Sequence, residues 1–192
     1  MRNLSKKFIP ESLILKAILI FILAYVPLVM LWIQVKGPYD YLITFVASKG
    51  VAGVKDAKLE NVMTEGNGVK TWFSYLGEGK KGKSLLVPVK VSIDTSNVPL
   101  TLSLLASLSL FIARRTRAYG EALLMLLFLH LFYVFSFGML QLTNAFMTAG
   151  IEEASQMRIS LYQFLWGLTD YASMSFAPFL ILIYVFVRFR RR

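Results

Sequence analysis

The sequence predicts an α-helical membrane protein with four transmembrane helices and a small extracytoplasmic antiparallel β meander between helices 1 and 2. Of its 192 residues, 56% are hydrophobic and only 17% are charged, whereas about 25% are charged in soluble domains. Four apolar runs occur along the chain, with basic residues clustered at their ends. Between the first two runs, apolar and polar residues alternate as they do in strands.

The composition also excludes several kinds of functional site. The chain has no cysteine, which excludes disulfides, thiolate nucleophiles and cysteine-ligated metal centres. It has a single histidine, His130, so one chain cannot supply several histidine ligands to a metal. It contains neither a Gly-x-Gly-x-x-Gly motif nor a Walker motif. We therefore predict no catalytic, cofactor-binding or metal-binding residues, and no enzymatic activity.

The first predicted span is residues 13–33, which follow a cytoplasmic N-terminus at residues 1–12. At about 1.5 Å per residue, this run is long enough to cross a hydrocarbon core of roughly 30 Å. A cleaved signal peptide has a shorter apolar core and small residues at its cleavage site. The sequence that follows, Trp32-Ile33-Gln34-Val35-Lys36, lacks such a site. We therefore expect the run to remain as a membrane anchor.

The other three predicted spans are residues 98–113, 119–142 and 164–187. The first of these is short for a membrane helix, which predicts local thinning of the bilayer. A basic cytoplasmic turn at residues 114–118 connects it to the next span, and a basic cytoplasmic tail at residues 188–192 follows the last.

The positive-inside rule then predicts the orientation, with both termini in the cytoplasm. Residues 34–97 and 143–163 are then extracytoplasmic. The first of these loops contains many lysines, but a loop this long is translocated largely regardless of its charge. The basic clusters predict contact with anionic membrane lipid and no binding of nucleic acid. The predicted cytoplasmic lipid and topology cluster is Arg114, Arg115, Arg117, Arg188, Arg190, Arg191 and Arg192.

The extracytoplasmic loop at residues 34–97 contains two predicted structures. Residues 38–48 have apolar side chains at helical spacing, which predicts an amphipathic helix at the outer membrane surface. Residues 54–95 contain three segments with alternating apolar and polar side chains, separated by glycine-rich turns. They predict a β-rich domain with one apolar face, packed on the helix, the membrane or a partner.

Polar residues recur at helical spacing within the third and fourth spans, so each set should occupy one helix face. If the faces meet, His130 and Asp170 could form a proton-sensitive pair. The alternative is that these groups only hold the helices together. Ser136 is about 240° around the helix from His130, which argues against a serine hydrolase. The candidate intramembrane partner face is His130, Tyr133, Gln141, Asn144, Gln163, Asp170 and Ser173.

The order of one span, a β-rich outer loop and three further spans resembles claudin-like and tetraspanin-like proteins, which depend on extracellular cysteines that this chain lacks. Three short segments resemble small bacterial membrane proteins associated with exosortase H: Val98-Pro99-Leu100, Tyr162-Gln163-Phe164 and Ala177-Pro178. The resemblance implies an accessory role in protein sorting. It also implies that the chain is not the protease itself, because exosortases use a cysteine for catalysis.

We therefore expect a non-enzymatic accessory or scaffold protein that partners an exosortase-type protein-sorting system at the outer face of the inner membrane. Its partners would be membrane lipids and another integral membrane protein, an exosortase or its substrate. The alternative is a small subunit of a transporter or envelope-assembly complex that uses His130 and Asp170 as a proton-sensitive pair. In the accessory role, His130→Ala and Asp170→Asn should leave function nearly intact, whereas either change should disable a proton path.

Overall fold

The computed structural model describes residues 11–66, 68–75, 85–91, 93, 95–153, 155–171 and 176–190. This part of the chain is mostly helical and carries one small antiparallel sheet, as the sequence predicts. In chain order, its elements are α1 (Glu11–Val54), β1 (Lys58–Glu65), β2 (Gly68–Tyr75), β3 (Leu85–Val91), α2 (Asn97–Leu108), α3 (Arg115–Thr148), α4 (Gln156–Tyr171) and α5 (Ala177–Phe189).

Two helices among the described residues, α1 and α3, are long and apolar enough to cross a membrane. Their 44 and 34 residues correspond to about 66 and 51 Å, well beyond a hydrocarbon core of about 30 Å. Each can therefore cross the bilayer and still extend beyond it. The helices α2 and α5 are apolar but have only 12 and 13 residues. Their assignment as spans stays a prediction.

The first helix does not end at residue 33 but continues to Val54. Residues 38–48 are helical as predicted, although they belong to α1 and do not form a separate helix. Pro38 lacks an N–H and leaves the carbonyl of Gln34 without its intrahelical partner. Packing outweighs this cost, because Ile43 and Val51 are buried in the core beneath the sheet.

Two described helices fall within the predicted fourth span at residues 164–187. The helix α4 is described to Tyr171 and α5 from Ala177, and residues 172–175 between them lie outside the described residues. Pro178 lies in the first turn of α5, where a proline loses no intrahelical hydrogen bond.

The three strands form an antiparallel meander in the order β1-β2-β3, which confirms the predicted connectivity. Phe73 faces Val87 across the β2–β3 pair, and Thr71 faces Val89. All four side chains are buried on the face that packs against the helices. Gly66 supplies the positive φ of +60° at the turn between β1 and β2.

The described residues form two hydrophobic cores, stacked along α3. The outer core joins the sheet to the C-terminal half of α1 and the C-terminal half of α3; its largest buried side chains are Ile43, Phe73, Val134, Leu142 and Phe146. The second core joins α2, the N-terminal half of α3 and α5; it includes Leu105, Ile112, Leu126, Ile181 and Val185. The N-terminal half of α1 remains apolar and exposed, as a helix in contact with lipid would be.

An ion-paired cluster connects the far end of α1 to the segment after α3. The Lys55 ammonium donates to both carboxylate oxygens of Glu152, at 2.9 and 2.6 Å. Arg158 donates to the same carboxylate at 2.8 Å. The Lys55 side chain is only 7% exposed, so its charge depends on Glu152 for compensation.

We expect Lys55→Met to lower the free energy of unfolding by about 2 kcal/mol, because the partly buried Glu152 loses its closest counter-charge. The measurement is chemical unfolding of the purified protein in detergent micelles. Lys49→Met is the matched control, since Lys49 is an exposed lysine six residues earlier, in the last turns of α1, and its loss should cost about 0.5 kcal/mol. Equal costs for the two variants would contradict the structural role of the pair.

Candidate functional site

Buried and partly buried polar side chains collect where the outer core meets the core of α2, α3 and α5. They come from α1, from the segment that leads into α2, and from α3, so three separate parts of the chain meet here. We call this set the polar junction; its members are Lys36, Tyr39, Asp40, Thr95, Asn97 and His130.

His130 connects the three helices of the polar junction. Its side chain is fully buried. The hydroxyl of Tyr39 lies 2.7 Å from Nδ1, and Oδ1 of Asn97 lies 3.2 Å from Nε2. With the amide oxygen of Asn97 as acceptor, Nε2 carries a proton and donates it, while Nδ1 shares a hydrogen bond with the Tyr39 hydroxyl. Both ring nitrogens are therefore engaged.

Asp40 provides the second connection of the junction. Its carboxylate accepts from the Lys36 ammonium at 2.8 Å and from the Thr95 hydroxyl at 3.4 Å. The side chain of Lys36 remains 37% exposed and that of Asp40 only 9%. Trp32 packs beside this region, with its ring edge-on against Tyr39 at a centroid distance of 5.0 Å. The junction thus combines a charged pair with an uncharged hydrogen-bonded chain.

The residues of the predicted partner face differ in burial and do not share one environment in the structure. His130 and Tyr133 are buried and Asp170 is half-buried, whereas the predicted members farther from the junction are exposed. One face of α3 meets different neighbours along its length, which explains the change from buried to exposed. The exposed members are Gln141, Asn144 and Gln163, and Ser173 lies outside the described residues.

Asp170 has a different environment from His130. It lies beside the hydroxyl of Tyr133, as does the indole of Trp166. The indole nitrogen of Trp166 is buried and has no hydrogen-bond partner among the described residues. The ring nitrogens of His130 point to Tyr39 and Asn97. The structure thus brings Asp170 to Tyr133, and it places no hydrogen bond between Asp170 and His130.

The hydroxyl of Ser136 is buried and lacks a hydrogen-bond partner in the described part of the chain. A serine nucleophile needs a base within hydrogen-bond reach. The same residues contain no group of three potential metal-ligating side chains. What the polar junction can do chemically is to hold α1, α2 and α3 in a fixed relative orientation through its hydrogen bonds.

A second polar feature lies at the N-terminal end of α3, where four predicted cluster residues line one cleft. Arg114 and Arg117 come from the start of α3, and Arg188 and Arg190 come from the end of α5. The backbone N–H of Ala113 donates to the carbonyl of Phe189 at 2.7 Å, which holds the two segments together. We call this the arginine cleft. Arg115 is exposed beside the cleft without lining it, and Arg191 and Arg192 lie outside the described residues.

One carboxylate organises part of the arginine cleft. Glu121 accepts from Nε of Arg117 at 3.1 Å and lies 3.2 Å from Nε of Arg188. The hydroxyl of Tyr184 donates to the same carboxylate at 2.9 Å, and Arg188 donates to that hydroxyl. Glu121 therefore fixes two of the four guanidinium groups.

The outward face of the sheet carries a further charged group. The hydroxyl of Ser74 donates to the carboxylate of Glu60 at 2.5 Å. This hydrogen bond, together with the neighbouring Lys58, lowers the pKa of Glu60 below its usual value. Glu60 is therefore ionised at neutral pH and keeps this edge of the sheet charged.

The surface of α4 carries an exposed row of large apolar side chains. Successive members are separated by four, three, four and three residues, so they share one helix face. The opposite face packs through Trp166, whose ring lies 6.0 Å from that of Phe137 on α3. We call the row the α4 stripe; it consists of Met157, Leu161, Phe164, Leu168 and Tyr171, each more than half exposed.

Sequence reasoning found His130 but missed Tyr39, Asp40 and Asn97. A signal for them exists, because all three lie at the predicted outer boundaries of the first two spans. Polar residues at the ends of two neighbouring spans lie at a similar depth in the membrane. At that depth they can form hydrogen bonds with a polar residue of a third span.

No protein-family model matches this chain, and neither a curated protein nor a solved structure is significantly similar to it.

Proposed function

We propose that this protein is a non-enzymatic accessory or scaffold protein of a membrane assembly. In this proposal α1, α2, α3 and α5 cross the inner membrane, both termini are cytoplasmic, and the sheet and α4 lie outside. The α4 stripe is the observation that carries it. Large apolar side chains at helical spacing usually face a core, and an exposed patch of them is typical of an interaction surface.

The surroundings of α4 favour a protein partner over lipid for this stripe. The helix begins next to the ion-paired cluster of Lys55, Glu152 and Arg158, and a hydrocarbon environment would make these three charges costly. It ends beside Tyr133, near the polar junction. The stripe therefore lies alongside polar structure in the outer half of the molecule, within reach of a second membrane protein with its own extracytoplasmic part.

The arginine cleft supports the proposed orientation. The turn that precedes α3 and the end of α5 meet there, so their arginines belong to one side of the membrane. By the positive-inside rule that side is the cytoplasm. The polar junction lies about 20 Å farther along α3, since His130 follows Arg117 by 13 residues. In a hydrocarbon core of about 30 Å, this separation puts the junction in the extracytoplasmic half of the bilayer.

The sequence resemblance supplies the class of partner: an exosortase-type sorting system at the outer face of the inner membrane. One of the resembling segments contributes to the α4 stripe, and a second is adjacent to the polar junction. Tyr162-Gln163-Phe164 lies in α4, with Phe164 on the stripe. Val98-Pro99-Leu100 forms the first turn of α2, directly after Asn97 of the polar junction. The accessory role would thus use the side of the molecule on which sorting substrates are processed.

The alternative, a small subunit of a transporter or envelope-assembly complex with a proton path, rests on Asp170. Its carboxylate is half-buried beside Tyr133. A path that includes His130 would need groups between the two, because His130 is bonded to Tyr39 and Asn97. Asp170→Asn tests this alternative: it should abolish activity of a proton path and leave an accessory function nearly intact.

The test of the proposal is co-purification of the C-terminally tagged protein from native membranes in mild detergent, followed by mass spectrometry. We expect a stoichiometric exosortase or its membrane-anchored substrate. The double variant Leu161→Ser/Phe164→Ser should recover at least tenfold less of this partner, as expected for central interface residues.

The matched control is Met63→Ser/Leu86→Ser, which changes two exposed apolar residues of the sheet and should leave recovery unchanged. Recovery of transporter or envelope-assembly subunits would replace the proposal with the alternative. Recovery of the protein alone, or equal losses in both double variants, would contradict the α4 stripe as the docking surface.

A further inference from the structure

We propose that the arginine cleft binds the phosphate of one anionic phospholipid, whose acyl chain occupies the apolar groove between α3 and α5. This inference concerns the cytoplasmic end of the molecule. It does not depend on which protein partner binds the α4 stripe, and it uses only the membrane orientation from the proposed function.

The cleft has the charge that a phosphate requires. Four arginines line about 240 Å³ of space, and the single carboxylate of Glu121 pairs with two of them. Arg114 and Arg190 have no ion-pair partner among the described residues, and both side chains are exposed. Guanidinium groups bind phosphate oxygens through paired, charge-assisted hydrogen bonds. The two arginines without a carboxylate are therefore the expected phosphate ligands.

The backbone fixes these arginines in position. Arg114 has a left-handed conformation with φ of 53°, directly before the first turn of α3. Arg190 pairs with Ile112 through an isolated antiparallel bridge. The bridge holds the end of α5 against the turn that precedes α3. The cleft is thus a built feature of two connected segments.

An apolar groove lies deeper along the same two helices. It encloses about 520 Å³ and exposes only apolar surface, provided by Leu124, Phe128 and Leu129 of α3 and by Leu180 and Ile181 of α5. Polar ligands gain nothing from such walls, whereas the methylene groups of an acyl chain are stabilised by contact with them.

The cleft and the groove are aligned as the two parts of one phospholipid. Leu124 follows Arg117 by seven residues, and Ile181 precedes Arg188 by seven residues. Seven residues of helix rise about 10.5 Å, so both walls of the groove lie about this far inside the bilayer from the guanidinium groups. A headgroup at the membrane surface with its chain below it spans this arrangement. Basic pockets between membrane helices on the cytoplasmic side are typical sites for anionic headgroups.

The test uses the full chain, purified in a mild non-ionic detergent and titrated with dioleoyl phosphatidylglycerol or dioleoyl phosphatidylcholine, with native mass spectrometry as the readout. We expect the anionic lipid to bind at least tenfold more tightly. Arg114→Gln and Arg190→Gln should each weaken its binding about tenfold. Arg115→Gln is the matched control, because it removes the same charge from the neighbouring position outside the cleft, and it should leave the affinity nearly unchanged.

Two further arms separate a lipid from a soluble phosphate. Glycerol phosphate should bind much more weakly than phosphatidylglycerol, and Leu180→Trp, which fills the groove, should weaken phosphatidylglycerol several-fold without changing the affinity for glycerol phosphate. Equal binding of glycerol phosphate and the lipid would overturn the lipid as the ligand. Equal binding of both lipids, or an equal loss in Arg115→Gln, would overturn the cleft as a specific site.

Discussion

We expect His130→Ala to lower the free energy of unfolding by about 4 kcal/mol. The ring is fully buried, so its removal leaves a cavity. The change also leaves the Tyr39 hydroxyl and the Asn97 amide without the ring atoms they contact at 2.7 and 3.2 Å. Denaturant unfolding in detergent micelles measures the loss. Tryptophan fluorescence is a suitable probe, because Trp32 packs on Tyr39 within the junction.

The control for His130 is Phe128→Ala, which shortens a large side chain of the same helix that is 65% exposed. This control should cost less than 1 kcal/mol. Tyr39→Phe removes only the hydroxyl and should cost about 1 kcal/mol. A cost for His130→Ala close to that of Phe128→Ala would refute the structural role of the junction.

This role changes how functional data on His130 should be interpreted. Loss of activity in His130→Ala is expected in both proposed functions, because the variant damages the contact between α1, α2 and α3. The sequence alone predicts that an accessory protein tolerates this change, because it suggests Asp170 as the partner of the ring and does not indicate the contacts with Tyr39 and Asn97. Asp170→Asn is the informative variant. Asp170 contacts Tyr133 outside the hydrogen-bonded chain of His130.

The sheet could be predicted from the sequence because its determinants are local. Alternation of side chains along Val87, Val89 and Val91 places all three on one face, and all three are buried. Gly66 marks the turn between β1 and β2 through its positive φ. The two longest apolar runs likewise predict α1 and α3, since membrane-length hydrophobicity is also a property of a single segment.

Features that depend on contacts between distant segments could not be predicted in the same way. Tyr39 and His130 are separated by 91 residues and Asn97 and His130 by 33, so no local pattern connects them. The continuation of α1 past Pro38 also depends on contacts with residues that are distant in the sequence. Local rules predict a break at proline, whereas burial of Ile43 and Val51 against the sheet and α3 supplies the stabilisation that keeps the helix whole.

Gly138 allows a close contact between α1 and α3 in the outer core. A β-carbon added to Gly138 would lie 3.0 Å from Cγ2 of Val51, which is tighter than normal packing permits. We expect Gly138→Leu to force the two helices apart and lower the free energy of unfolding by about 3 kcal/mol. Because the sheet packs on both helices, limited proteolysis should also become faster within the sheet.

Gly120→Leu provides the matched control on the same helix. Nothing lies within 4 Å of a β-carbon added there, and replacing glycine within a helix gains up to about 1 kcal/mol. A second experiment isolates the contact itself. In a Val51→Ala background the clashing methyl groups are absent, so the cost of Gly138→Leu should fall by at least 1 kcal/mol. If Gly138→Leu lowers the free energy of unfolding equally in that background, the clash involves a residue other than Val51. The close packing of α1 and α3 would then not depend on this contact.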